Sequence, residues 1–408
     1  MIDKSRKWRA GAAVAGLAML AAACGAPQSG GGGGGNAAQP TSIPKKPSEP
    51  VTLNILDVAG DLQLTKGMIQ EFAKKHPDIV SKVTYTSAPA PEMAGKLKAQ
   101  QQAGNVQTSL VLTGTDGLSA GIEDDLPVKM MPNFSGRFPN LMDNYLKPAA
   151  AMQGLAQGYG IEVTYYPSGP LLEYNPKKVK DPPKTTDELL AWAKAHPGKF
   201  QYAQPANSGP GRTLLMALPY LLKDKNPKDP SSWTKTWAYL KKLEKYVRSN
   251  PSGTTDTMKN IANGSVDMIA STTGWDINPR VLGTVPKGMK VTTLSGPGGF
   301  HWVTDAHYAV IPKGNSKDVM AADLALIKWM LRPDQQAKAY DDGYFYPGPA
   351  VKDVTLDMAP AHSQQVLKEY GRPQYQEWIS KYPKETSLPA QAQVKAFDLW
   401  NRKVGSKG

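Results

Sequence analysis

VTLNILDVAGDLQLTKGMIQEFAKKHPDIVSKVTYTSAPAPEMAGKLKAQQQAGNVQTSLVL, residues 51–112, switches between two periodicities. Residues 51–56 are a short β-rich run that closes on Asp57-Val58-Ala59-Gly60-Asp61. From Leu64 the apolar residues Met68, Ile69 and Phe72 share one helical face as far as Lys75-His76-Pro77, where the residue before proline is driven out of helical geometry. Residues 79–86 make a second strand and 91–103 a second helix, closed by Gly104-Asn105. Residues 108–112 make a third strand that ends in Thr113-Gly114-Thr115-Asp116. A βαβαβ order predicts an open, mostly parallel sheet covered by helices.

The same rhythm returns downstream. Helical patterns cover 187–195, 211–222, 233–247 and 255–263, with extended runs at 200–203 and 266–270. Two α/β units follow, about 51–160 and 163–297, and a strand at 308–311 returns to the first. The chain past residue 50 is too long for one ordinary core and predicts two lobes. Lobe one is expected over 51–160 plus about 303–345, and lobe two over 163–297 plus part of 346–408. Repeated crossings between lobes make a hinge.

Residues 1–23 read as an export signal: Lys4, Arg6, Lys7 and Arg9, then an uncharged run from Ala10 to Ala23 too short to span a bilayer comfortably. Cys24 is the only cysteine, so no disulfide is available. Leu20-Ala21-Ala22-Ala23-Cys24 resembles the bacterial lipoprotein signal, although the leucine stands four residues before the cysteine rather than three. That resemblance implies acylation of Cys24 and attachment to the outer face of the cell membrane through lipid alone. Residues 24–50, with six consecutive glycines and Pro44, Pro47 and Pro50, predict a disordered tether.

The 408 residues carry a net charge of +13, which falls to +10 without residues 1–23. Basic residues are scattered among acids, as in Lys223-Asp224-Lys225, with no basic-aromatic stripe; nucleic acid is not an expected partner. A basic solvated face beside an anionic envelope fits this pattern better.

Several segments together resemble the extracellular solute-binding proteins of ABC importers, from residue 51 to about 348. They are EFAKKHPDI (71–79), Tyr174-Asn175-Pro176 ahead of PPKTTDELLAWA (182–193), ANGSVDMI (262–269), and DLALIKWMLRPDQQAKAY (323–340) before Gly343-Tyr344. The resemblance implies an α/β fold of the type II periplasmic-binding-protein clamshell, each lobe an open mixed sheet flanked by helices. It also implies a monomer with no cofactor, which hands a small solute to the permease subunits. AHPGKFQY (195–202) looks more like the polyamine, thiamine and iron branches than the maltose branch.

In such sheets ligands gather beyond the carboxyl ends of strands. The turns that qualify carry Asp57 and Asp61, Thr113, Thr115 and Asp116, Ser208 and Arg212 within 207–212, and Thr273, Trp275 and Asp276 within 271–276. Helix capping competes with ligand contact for Asp57, Asp61 and Asp116, and a plain tight turn competes at 208–212. Trp275, just after an apolar strand, is either a lid on lobe packing or, the favoured reading, a platform for a flat or cationic ligand, whereas Trp192, Trp233, Trp237 and Trp329 sit in helical patterns and read as core. Glu162 marks the first crossing, Trp302 the return, and Tyr344-Phe345-Tyr346 a Gly/Pro-rich loop suited to lining a cleft.

The five histidines have no zinc spacing, and no Gly-x-Ser-x-Gly elbow occurs. Two opposed carboxylates would suffice for a glycosidase, so a glycoside-processing lipoprotein of the envelope is the alternative from another class. Aromatics with carboxylates suit a sugar, and Asp57, Asp61, Asp116, Glu162 and Asp276 suit a polyamine-like or thiamine-like cation equally.

Overall fold

The computed structural model describes residues 42–58 and 60–405. The expected export signal, Cys24 and the glycine run lie outside the described residues. Strand β1 (Val51–Asp57) pairs in parallel with β2 (Val80–Ser87) and with β3 (Leu110–Gly114), as the βαβαβ pattern requires. Between them the helix Leu62–Lys75 buries Leu64, Met68, Ile69 and Phe72, and the helix Ala90–Gln102 buries Met93 and Leu97. Strand β4 (Ile161–Gly169) and the later β9 (Trp302–Val310) complete this sheet antiparallel, β9 lying against both β3 and β4. All nine residues of each strand are buried, so neither shows a two-residue alternation from which its length could be read.

The second sheet runs β6 (Phe200–Gln201), β7 (Met268–Ser271), β5 (Leu171–Tyr174), β8 (Lys290–Thr293), with β6 parallel to β7 and the rest antiparallel. Its core gathers Leu172, Phe200, Leu214–Leu218, Leu221, Trp233 and Trp237. The first sheet has its own core around Leu53, Ile55, Met68, Val111 and Ile327. The chain changes sheet at Gly169-Pro170, beyond the crossing expected at Glu162, and again between β8 and β9. Near the C-terminus β10 (Lys384–Glu385) joins the first sheet beside β9, while the helix Ala390–Lys403 packs Ala396 and Trp400 into the second core.

The expected tether does not run free to Pro50. Arg137 donates to the carbonyls of Ile43, Pro44 and Lys45, Ser48 bonds Asp318 through its N–H at 3.1 Å and its hydroxyl at 2.6 Å, and Pro47 is buried. Prolines lose little entropy on ordering, which lets a few such bonds hold the segment 42–50.

Candidate functional site

A cavity of about 160 Å³ opens between the two sheets. Five helices present a first-turn residue to it: Ala90 from Ala90–Gln102, Asp116 from Thr115–Glu123, Gly209 from Gly209–Leu221, Thr254 from Thr254–Ala262 and Trp275 from Thr273–Val281. Four of these helices follow a strand, the fifth, Thr254–Ala262, follows the helix Thr234–Leu243, and in each the first-turn amides have no intrahelical acceptor. Tyr166 on β4, His307 on β9 and Phe345 close the wall.

Arg212 ties the two halves together. Its helix packs Leu214–Leu218 and Leu221 into the second core, yet its guanidinium reaches across to Asp116 at 2.9 Å and to Asp305 on β9. Asp305 is also held by the hydroxyls of Thr115 at 3.1 Å and Tyr166 at 3.0 Å and by the N–H of Ala306 at 3.0 Å. Burial works against both charges, but the Arg212 guanidinium keeps the Asp305 carboxyl below the usual carboxylate range, and the carboxylates push Arg212 further up.

Behind this pair lies a second one. His307 Nδ1 meets Asp61 at 3.0 Å, and both side chains are buried. Burial lowers the imidazole pKa, but the Asp61 hydrogen bond and charge outweigh it and the net shift is upward. Asp61 therefore serves His307; its side chain does not cap the helix Leu62–Lys75. Asp57 caps instead, accepting from the N–H of Asp61 at 2.9 Å. Burial, then repulsion from Asp61, pushes the Asp57 carboxyl up to about 6.

The aromatic wall is layered. Tyr166 and Phe345 stack at 4.7 Å with 23° between planes, Tyr344 lies 4.0 Å from Phe345, and Trp275 meets Tyr344 edge-on at 5.6 Å. Trp275 is only partly buried, so part of its surface faces the cavity.

Several candidates lie elsewhere. Asp276 is fully buried and accepts from Arg372 at 2.7 and 2.8 Å, Tyr375 at 2.7 Å and Arg280 at 3.3 Å. Consecutive helical residues point about 100° apart, so Trp275 at the cleft sends Asp276 away from it. Trp302 is core: it is buried within β9, donates to the carbonyl of Trp378 at 3.0 Å and packs edge-on against Phe300. Glu162 is buried in β4, and burial followed by the Asp305 charge raises its carboxyl pKa well above the ordinary value. Ser208 caps its helix by accepting from the N–H of Gly211 at 3.1 Å and bonds Thr254 at 2.8 Å. Thr273 donates to the carbonyl of Tyr346 at 2.8 Å, and Thr113 is buried beneath Gly117. Thr115 contributes through Asp305, and Tyr344 through the aromatic layer.

Sequence patterns missed Tyr166, His307 and Thr254. A lone histidine in the apolar run around Tyr308-Ala309-Val310 was the available signal for His307. Among the described residues no group of three or more His, Cys, Asp or Glu side chains is placed to hold a metal ion. Among them, too, no helix is long and apolar enough to cross a membrane.

Residues 67–367 match the family model described as bacterial extracellular solute-binding protein. No curated protein matches the chain by sequence. Solved structures with the same fold include a putative spermidine/putrescine ABC transporter protein from Listeria monocytogenes, 14% identical, with a TM-score of 0.58 over 86% of this chain and 98% of that one. A periplasmic thiamin binding protein is 15% identical, with a TM-score of 0.60 over 89% and 99%. A periplasmic binding protein from Actinobacillus pleuropneumoniae with fructose-6-phosphate bound is 15% identical, with a TM-score of 0.59 over 86% and 98%. The two sheets flanked by helices are the type II clamshell of these proteins.

Proposed function

The chain belongs to the bacterial extracellular solute-binding family, and from that premise we propose that its cleft captures a compact polar solute with a flat face for delivery to an ABC importer permease. The observation that carries this reading is the partly buried Trp275, facing the same small cavity as the stacked Tyr166 and Phe345. A ring between such faces gains dispersion and, if cationic, cation–π attraction, while Asn207, Thr254 and Asp116 supply polar contacts at its edge. A sugar ring and a flat organic cation both fit this description. A flexible polyamine fits less well, because Asp276 and Glu162 stand outside the cavity and Asp116 already pairs with Arg212. Neither the family nor its fold neighbours favour the glycoside-processing alternative.

Calorimetric titration of the protein against monosaccharides, thiamine-like flat cations and linear polyamines tests the proposal. Single-site binding is expected from a flat-faced solute. Saturable binding of a linear polyamine, with no response from any flat-faced solute, contradicts it.

Attachment through an acylated Cys24, on the outer face of the membrane, is part of the same proposal. Several acyl chains hold firmly where one holds only marginally. Cys24→Ala should shift the protein from the membrane fraction to the extracytoplasmic fluid or medium; a variant that remains in the membrane to the same extent rules out the lipid anchor.

A further inference from the structure

We propose that Arg212 is the charge-selecting residue of the cleft: its guanidinium occupies, from within the protein, the position that a guanidine-type or amine-type cation would otherwise take between Asp116 and Asp305. This rests on the reading of the cleft as the solute site.

The socket is built independently of the arginine. Asp305 is buried and is fixed by Thr115, Tyr166 and the N–H of Ala306, so its carboxylate keeps its aim without Arg212. Asp116 is steadied by the N–H of Gly117 at 3.0 Å. A planar guanidinium bridges the two carboxylates, one from Nη1 and one from Nη2, the geometry for which the guanidine fork is suited. The arginine comes from the helix rooted in the second core, whereas Asp116 follows β3 and Asp305 lies on β9 of the first sheet. The cation is therefore brought to the carboxylates by the opposing half of the molecule, in the way a bound solute bridges two lobes.

Charge matching sets the consequence. Arg212 offsets one of the two charges of Asp116 and Asp305, and His307 pairs with Asp61, so a polycation meets a less negative surface than the bare carboxylates would present. Without the guanidinium the two fixed carboxylates face each other across a space continuous with the existing cavity, since Arg212 and Asp116 both line it. Two like charges in a partly desolvated site strongly favour uptake of a cation of the lost shape.

The test is chemical complementation. Arg212→Ala is titrated with methylguanidine, methylammonium and putrescine at low millimolar concentration, followed by calorimetry and thermal unfolding beside the wild type. The expected result is a saturable one-to-one heat and a rise in melting temperature for Arg212→Ala with methylguanidine, at least tenfold tighter than any response of the wild type. If the variant folds only in the presence of methylguanidine, that rescue is the same result. Arg212→Gln keeps part of the stem and a neutral donor head, and is expected to take methylammonium or methylguanidine likewise. Failure of both variants to take up, or to be rescued by, any of these cations overturns the proposal, as does equal cation binding by the wild type. Solute binding by the wild type is scored separately: cation uptake by Arg212→Ala with no flat-faced ligand for the wild type retains charge selection and removes only the stacking reading.

Discussion

Asp276→Ala should destabilise the protein by about 3–5 kcal/mol while leaving the solute affinity of the folded fraction within about twofold of wild type. Asp276 is fully buried and is the common acceptor for Arg372, Arg280 and Tyr375. Removing it takes the carboxylate from the buried Arg280 and the largely buried Arg372, leaving them the carbonyls of Tyr370 and Met289, and breaking a buried pair costs far more than the pair contributes over an apolar substitute. Glu173 moderates the loss. Its carboxyl is pushed up to about 8, chiefly by burial and then by the Asp276 charge, so deleting Asp276 lets Glu173 ionise and answer part of the arginine charge. Double substitution of Asp276 and Glu173 should therefore cost more than the sum of the separate effects. Thermal and urea unfolding give the stability change, and calorimetry gives the affinity. A folded Asp276→Ala protein of wild-type stability that has lost binding would return Asp276 to the cleft.

The first two strands and the two helices were legible because each buries mainly one face and leaves a period of two or about 3.6, whereas β3, buried at all five positions, was legible as a short apolar run closed by a turn. Residues 161–169 were not, and of 302–310 only the end from Tyr308 was, since long strands buried on both sides carry no alternation, and these two strands bring Tyr166, Asp305 and His307 to the site. The cleft itself was legible in outline at the strand ends, where Trp275, Asp116 and Arg212 were singled out and where the cavity lies. What a local pattern cannot contain is partnership at long range. Arg212 and Asp305 are 93 residues apart and Asp61 and His307 are 246 apart, so carboxylates that look available to a ligand in sequence are engaged in the folded chain. The pair Trp275-Asp276 fails as a unit for a simpler reason: a helix sends neighbours to different faces.

Trp275→Ala carries the second large effect, on binding rather than folding. A ring stacked on Trp275 would lose about 1–2 kcal/mol, roughly five- to thirtyfold in affinity. The tryptophan is only partly buried and leans on both core edges, so its truncation should cost less stability than the about 3–5 kcal/mol of a fully enclosed tryptophan. The decisive measurement is calorimetry of wild type and Trp275→Ala with the same solute, paired with their thermal unfolding in its absence. Solute capture at the aromatic cleft predicts an affinity roughly five- to thirtyfold weaker with a small fall in melting temperature. Near-normal affinity in the folded fraction, with a large fall in melting temperature, would contradict it and make Trp275 a core residue.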